Sequence, residues 1–533
     1  MRSRKVLFTA VKNEAPFLLE WIAYHLEVGF DRIIIFSNES EDGTTELLDA
    51  LAQSGVIEHF YHEPAQGVSA QANAARLANE KELLQHGDWV LWIDADEFLN
   101  IKIGSGTLDE LIDKIGDKHG MFINWRVFGD SGNQFFPGRF ISSDFVGAAQ
   151  LNFVRHLEIK TLFRHGPDFS GLATYVLNRP SMKKGRNVGL ECFLNGNGVV
   201  PEDSVSHQRW LAGEEHWHNC QLQASDLGGQ VAQINHYSIR TPELYEMKRM
   251  RGRGLVAQQS GAANRRHTEL FYRRMNRNGR ADNSILRFAS VVTRRMAELG
   301  ALPGVYEALN HAERLTAISI AHNERPDTKP KLSDVLSTAS TEPPKVTLPD
   351  KEHALVEKCY RDARFILEYG SGGSTVIALE TGAEWVFSVE SDPVWTMNIS
   401  TVLQRNYPDA NFSIHYVDIG PTKEWGWPQS NTRQKVFHRY ATSVWDIPHF
   451  VEPDVVLIDG RFRTACFCTT VMKSKRPKTV LFDDYVDRPE YHWIEDILPV
   501  SEIVGRMARF DLKESIDVTP HLTKIAGSFV DAR

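Results

Sequence analysis

The stretch Asp88-Trp-Val-Leu-Trp-Ile-Asp94-Ala-Asp96-Glu97-Phe98 closes an apolar run with two carboxylates one residue apart. On a strand, residues i and i+2 share one face, so both carboxylates can address one hard cation. Oxygen donors suit a divalent ion, Mn2+ or Mg2+, that also holds a diphosphate. A solvated strand end is the ordinary reading of an isolated Asp-x-Asp, and the surrounding residues argue against it here. A second set of chemistry-bearing residues lies far downstream. Leu367-Glu368-Tyr-Gly370-Ser-Gly372-Gly373-Ser-Thr375 is a glycine-rich turn after an apolar run. Glu390 follows at roughly twenty residues, where an acid can accept from a ribose hydroxyl. Asp459, Asp483 and Asp484 end two further apolar runs. Three carboxylates on adjacent strand ends can hold one Mg2+.

The elements that must position these groups alternate in type. Residues 6–11 and 33–36 read as strands, and 14–28 and 44–53 as helices. In the first helix Phe17, Leu18, Trp21, Ile22 and Leu26 fall on one face, with Pro16 near its start and Gly29 as its stop. The run before Asp94 is apolar throughout, as a strand buried on both faces requires. After residue 350 four more strands are expected, around 365–368, 385–390, 454–459 and 479–483, each ending in an acid. Such alternation implies α/β domains with largely parallel sheets, helices outside, and ligands beyond the strands' carboxyl ends. The expected organisation is a first domain over 1–255, a basic helical extension over 256–325, a Pro/Ser/Thr-rich linker over 326–349 and a second domain over 350–533.

Val11-Lys-Asn13-Glu14, then Phe36-Ser-Asn-Glu-Ser-Glu-Asp42-Gly-Thr44, Asp94-Ala-Asp96-Glu97, and Ile234-Asn-His236-Tyr237 with Lys248 and Arg251 beyond it, occur in order. Together they resemble the family 2-like glycosyltransferases of the GT-A fold over roughly residues 4 to 255. That resemblance implies a nucleotide-sugar donor, uridine-linked by family habit, with a divalent ion between Asp94, Asp96 and the diphosphate. It places Asp42 at the nucleoside and Asn13 and Glu14 near the base or ribose. His236 is expected as a further metal or phosphate ligand, since a neutral imidazole is a borderline donor; a hydrogen-bonded structural histidine is the alternative. Arg126 or Lys160 could neutralise phosphate or lie at the surface. Deprotonating an acceptor hydroxyl needs a carboxylate, for which Asp203, beside Glu202, and Asp130, in a glycine-flanked turn, are the candidates.

The glycine-rich turn at 368–375 resembles the first motif of class I S-adenosylmethionine-dependent methyltransferases, over about 350 to 500. The resemblance implies S-adenosylmethionine on Glu368, Gly370, Gly372 and Glu390, with Asp418 near the adenine. A nicotinamide site would want a third small residue where Thr375 stands. Asp459, Asp483 and Asp484 look like the metal set of metal-dependent sugar O-methyltransferases, in which the ion lowers a substrate hydroxyl's pKa. One departure stands out. Asp459-Gly-Arg461-Phe-Arg463 places arginines where an acid is usual, which hints at an anionic substrate. His415, His438 and His492 are unassigned.

The 533 residues are too many for one typical core. A net charge of −9 argues against global nucleic-acid binding. Cys192, Cys220, Cys359, Cys466 and Cys468 have no zinc spacing and read as reduced thiols, the 466/468 pair as core. Neither a signal segment nor a long apolar span is evident, so the expected location is cytoplasmic, with at most a membrane-surface contact. The arginine-rich 248–295 region leaves open a solvated face, an anionic glycan, an acidic lipid surface or contact with the other domain. Oligomeric state is not legible. The consistent reading is a bifunctional enzyme acting on a glycan or glycolipid acceptor, by sugar transfer and by O-methylation. The alternatives are a glycosyltransferase with a non-catalytic docking domain, and a non-catalytic glycan-binding adaptor.

Overall fold

A computed structural model describes residues 3–533 except 137, 139, 175–178, 187, 204, 215–221, 252–266 and 325–341. The chain divides into two compact units, Met1–Ala312 and Glu313–Arg533. Most of the expected linker and the middle of the basic stretch, with Arg253, Arg265 and Arg266, lie outside the described residues, as does Cys220.

The first unit opens with β1 (Lys5–Val11), α1 (Ala15–Val28), β2 (Arg32–Ser37), α2 (Thr44–Gln53), β3 (Glu58–Tyr61), α3 (Ala70–Glu80) and β4 (Trp89–Trp92). There follow β5 (Glu97–Ile101), β6 (Gly120–Val127), β7 (Ile159–Arg164), β8 (Phe193–Asn195) and β9 (Ala232–His236). They form one sheet in the order β3-β2-β1-β4-β7-β6-β9-β5, with β8 pairing on β6. The β3-β2-β1-β4 half is parallel, with Phe8 opposite both Ile34 and Trp92. Beyond it β7 runs antiparallel to β4 and β6. This is the expected α/β class with a GT-A-like sheet.

Burial holds the strand in the interior. Val90, Leu91 and Ile93 are fully enclosed, and each such side chain contributes about 2 kcal/mol. Helix α1 buries Phe17, Leu18, Trp21 and Ile22 as expected and ends at Gly29 in a left-handed conformation. Its Trp21 Nε1 and Tyr24 hydroxyl donate to the carbonyls of Glu97 and Leu99, at 2.7 and 2.8 Å, which ties α1 to β5. Residues of the expected 256–325 extension pack into this unit. Tyr272, Asn276 and Asn278 all bond to Asp130, and Arg287 donates to the Ile101 carbonyl at 2.6 Å.

The second unit contains β10 (Phe365–Tyr369), α5 (Gly373–Glu380), β11 (Trp385–Glu390), β12 (Phe412–Tyr416), β13 (Val455–Ile458), α6 (Arg463–Lys473), β14 (Lys478–Phe482), β15 (Glu502–Val504) and β16 (Met507–Leu512). Helix α4 is Pro242–Arg251 of the first unit. The sheet order is β12-β11-β10-β13-β14-β16-β15. Its five central and edge strands β12 to β14 are parallel, while β16 runs antiparallel to β14 and β15. The order reverses at β10, so a crevice opens between β10 and its neighbours at their carboxyl ends. This is a Rossmann-like methyltransferase fold. Cys466 and Cys468 are enclosed in α6, core residues as expected. Among the described residues no helix is long and apolar enough to cross a membrane.

Candidate functional sites

In the first unit β4 stops at Trp92, so Asp94 and Asp96 do not extend a strand face; they stand in the turn that leads into β5. The turn is closed by Glu97 N donating to the Asp94 carbonyl at 3.0 Å, and by Asp94 N donating to Glu97 Oε2 at 2.9 Å. Each aspartate is paired with a lysine. Lys160, from β7, reaches Asp94 Oδ2 at 3.0 Å and Glu97 Oε2 at 2.7 Å. Lys248, from α4, bonds Asp96 Oδ2 and the Ser238 carbonyl. Gln71 of α3 donates to Asp94 Oδ1 at 2.8 Å. His236 ends β9 with Nε2 3.8 Å from Asp96 Oδ1 and its ring against Trp125.

The electrostatics follow from burial. Enclosure alone would raise the Asp96 carboxyl, but Lys248, His236 and Arg240 outweigh it and hold it well below its ordinary range. Enclosure pushes Glu97 up to about 8, with Asp94 and Asp96 adding to the effect. Lys160 is enclosed too, yet Asp94 and Glu97 keep it charged.

The loops after β1 and β2 are stitched together by the residues expected at the nucleoside. Asn13 has a left-handed backbone; its N–H donates to Ser40 Oγ and its Oδ1 accepts from Glu41 N. Asp42 accepts from the N–H groups of Ala15 and Thr44, at 3.0 Å each, so one carboxylate serves the starts of both α1 and α2. Burial raises its pKa. Glu14 is buried and accepts from Arg240 Nη1 at 3.0 Å, and the Arg240 guanidinium stacks 3.6 Å over Phe17.

Of the two candidate bases, Asp130 is buried and saturated: Tyr272, Asn278 and Gly132 N donate to it, along with Asn276. It fastens the 129–133 turn to residues 272–278. Asp203 is exposed and accepts from Gln208 at 2.9 Å. Arg126 is buried in β6 with Nε 3.5 Å from Asp282. Lys248 and Arg240 are the groups that sequence reasoning left without a role, although Lys248 belongs to the motif quoted above.

In the second unit Gly370 closes β10 with φ +104°. A Cβ there would meet the Gly460 amide nitrogen at 3.0 Å, so the turn after β10 lies flat against the end of β13. Glu368 is fully buried. It accepts from the Tyr360 hydroxyl at 2.8 Å and from Thr375 Oγ1 at 2.6 Å, while Thr375 Oγ1 accepts from Gly372 N. The acid shapes the glycine turn from beneath. Burial pushes it up to about 7 against hydrogen bonds from Thr375, Tyr360 and Ser374. Glu390 ends β11 and accepts from Ser371 N and Oγ, at 3.3 and 3.2 Å, and from Ser391 N at 2.8 Å. Asp418, beyond β12, accepts from Arg433 and Gly420 N.

Asp459, Asp483 and Asp484 do converge: one oxygen of each lies within 4.8 Å of the others, and among the described residues no other such group of three or more His, Cys, Asp or Glu ligand atoms occurs. Asp94, Asp96 and His236 are therefore not gathered in this way. Three hard oxygen donors fit Mg2+, but each is already engaged by arginine. Arg506 forks onto Asp483 at 3.1 and 2.7 Å and reaches Asp484. Arg488 bonds Asp484 at 2.7 Å. Arg463 bridges Asp459 at 3.1 Å and Asp484 at 3.3 Å. His415 bonds Ser443 and His492 bonds the Tyr485 carbonyl.

A glycosyltransferase family 92 model matches residues 9–145. A glycosyltransferase family 92 protein of Oryza sativa subsp. japonica is 34% identical over 106 residues, 20% of this chain and 17% of that protein. One of Ricinus communis is 24% identical over 181 residues, 30% of this chain and 32% of that protein. The chain thus spans less than a third of the length of these curated relatives. Among solved structures, a methyltransferase-like protein of Silicibacter pomeroyi is 38% identical, with a TM-score of 0.34, covering 36% of this chain and 98% of that one. The chain joins a glycosyltransferase family 92-like region to a C-terminal unit with a methyltransferase-like, Rossmann-like fold.

Proposed function

We propose that the chain is a bifunctional glycan-modifying enzyme. Its first unit transfers a sugar from a nucleotide-sugar donor, and its second methylates a sugar hydroxyl with S-adenosylmethionine. The observation that carries this reading is that both units gather charged side chains just beyond the carboxyl ends of parallel strands, where open α/β sheets take ligands. In the first unit Asp94, Asp96, Lys160 and Lys248 meet beyond β4. In the second, Glu390 meets the glycine turn beyond β10 and β11.

A departing nucleoside diphosphate needs its new charge stabilised. Asp94 and Asp96 would hold a divalent ion in exchange for part of their pairing with Lys160 and Lys248, and the ion supplies Lewis-acid stabilisation when bound. Lys160, enclosed, and Lys248, partly buried, are cations in the same site and provide positive charge positioned in advance. Asp42, Asn13 and Glu14 hold the two loops against which the nucleoside would rest. In the second unit Glu390 would accept from the ribose hydroxyls of the cofactor, and Glu368 would keep the glycine turn in shape from below.

A second reading, a glycosyltransferase with a docking domain, is favoured by one feature. Every carboxylate of the Asp459, Asp483, Asp484 group is bound by an arginine, and an ion would have to compete with those pairs.

The test of sugar transfer is nucleoside diphosphate release by the full chain from a panel of uridine diphosphate sugars, with Mn2+ and after chelation. Release that falls by about a hundredfold or more in Asp94→Ala and Asp96→Ala is the expected outcome. Undiminished release in both variants overturns the assignment, and release equal in both conditions overturns the metal.

A further inference from the structure

The three acids beyond β13 and β14 are matched by Arg463, Arg488 and Arg506. A fourth arginine is left over. Arg461 is only 7% exposed, its Nε is enclosed without an acceptor, and among the described residues its guanidinium has neither a hydrogen-bond nor an ion-pair partner. It lies 4.5 Å over the Trp427 ring, and its backbone N–H donates to the Tyr440 hydroxyl at 3.3 Å. Burying a cation without an acceptor is costly, and an arriving anion would relieve that cost.

The position is that of a ligand site. Arg461 stands two residues beyond Asp459, after the end of β13. Gly426 connects it to the cofactor end of the crevice: a Cβ there would lie 3.9 Å from Arg461 Cγ and 3.5 Å from Glu390 Oε1. The same loop supplies a second, independent feature. Thr422 bridges to Pro428, and Lys423 N donates to the Trp427 carbonyl at 2.8 Å. That short hairpin seats Trp427 on Arg461 and leaves Trp425 at its tip, 82% exposed with φ +63°. A large ring held in solvent on a strained, left-handed backbone is a feature for contact with a partner. The flat face of a pyranose is suited to such a ring.

Resting on the methyltransferase reading above, we propose that Arg461 is the anion receptor of the second unit, and that it takes the carboxylate of an acidic sugar acceptor packed against Trp425. Guanidinium matches carboxylate in a two-pronged, charge-assisted bond. Stacked on Trp427, it keeps its donor edge free for that bond. The carboxylate of the cofactor's own methionyl group has the same chemistry, so the test must separate the two sources.

The experiment titrates the full chain with methyl β-D-glucuronide and with uncharged methyl β-D-glucoside, and separately with S-adenosylmethionine and with 5′-methylthioadenosine, which lacks the carboxylate. The wild-type chain is expected to prefer the glucuronide by more than about tenfold. Arg461→Met should erase that preference while leaving S-adenosylmethionine affinity unchanged, and Arg461→Lys should keep part of it. Removing an unpaired buried cation should not lower the melting temperature, and the wild-type comparison stands without any variant. Equal binding of the two glycosides by the wild-type chain overturns the proposal. So does an Arg461→Met chain that loses S-adenosylmethionine about tenfold but binds 5′-methylthioadenosine normally, since the arginine then serves the cofactor. Failure of any chain to bind S-adenosylmethionine, with the glucuronide preference intact, counts against the methylation reading and not against the receptor.

Discussion

At the scale of single residues, charge pairing decides most of what the two sites can do. Asp96 is enclosed and kept ionised chiefly by Lys248. Lys248→Met leaves a buried carboxylate short of its main partner, and urea unfolding should report a loss of about 3 kcal/mol in the first unit. A change under about 0.5 kcal/mol would mean that the pair is solvated and weak. Glu368 gives a pH dependence of known sign. Its carboxyl is raised to about 7 in the folded chain, so the native state holds a proton that the unfolded chain releases at lower pH. The second unit should therefore lose stability as pH rises from about 4.5, the ordinary glutamate range, to about 7. Glu368→Gln should flatten that slope in thermal melts taken across the same range. A slope that is unchanged, or reversed, would contradict the burial of this acid.

At the scale of elements, the glycine turn after β10 is the most exacting piece of geometry. Gly370→Ala places a Cβ at 3.0 Å from the Gly460 amide on a backbone with φ +104°. Strain of about 1–3 kcal/mol is expected, read as a lower melting temperature, together with loss of S-adenosylmethionine affinity. Full affinity in this variant would show that the turn does not carry the cofactor. The turn itself was legible in the sequence, because glycines after an apolar run leave few alternatives. So were β4 and the strands after residue 365, whose apolar runs stop at acids. The arrangement of Asp94 and Asp96 was not. The same-face rule assumes a strand, and here β4 ends at Trp92 because Glu97 folds back onto the Asp94 amide. Lys160 and Lys248 reach these acids from 66 and 152 residues away. Pairing over such separations leaves no local periodicity to read. Asp130 looked available in its glycine-flanked turn, and its partners Tyr272, Asn276 and Asn278 arrive from more than a hundred residues downstream. Arg461 was visible as a departure from pattern, but its isolation emerges only when the other three arginines are seen to be paired.

At the scale of the whole molecule, two compact units each carry their own sheet, with charged side chains gathered beyond its parallel strands. Ligands specific to each should therefore stabilise different parts of the chain. In calorimetry of the full chain, uridine diphosphate with Mn2+ should raise one unfolding transition and S-adenosylmethionine another, each by about 2.7 kcal/mol at a hundredfold excess over its Kd. Both ligands acting on the same transition would contradict the assignment of one activity to each unit. The most direct test of bifunctionality is calorimetric titration of S-adenosylmethionine into the full chain. Micromolar binding, weakened at least about tenfold by Glu390→Ala, is the expected result. No detectable binding to a chain that melts cooperatively would contradict it, and would leave the C-terminal unit without a catalytic role.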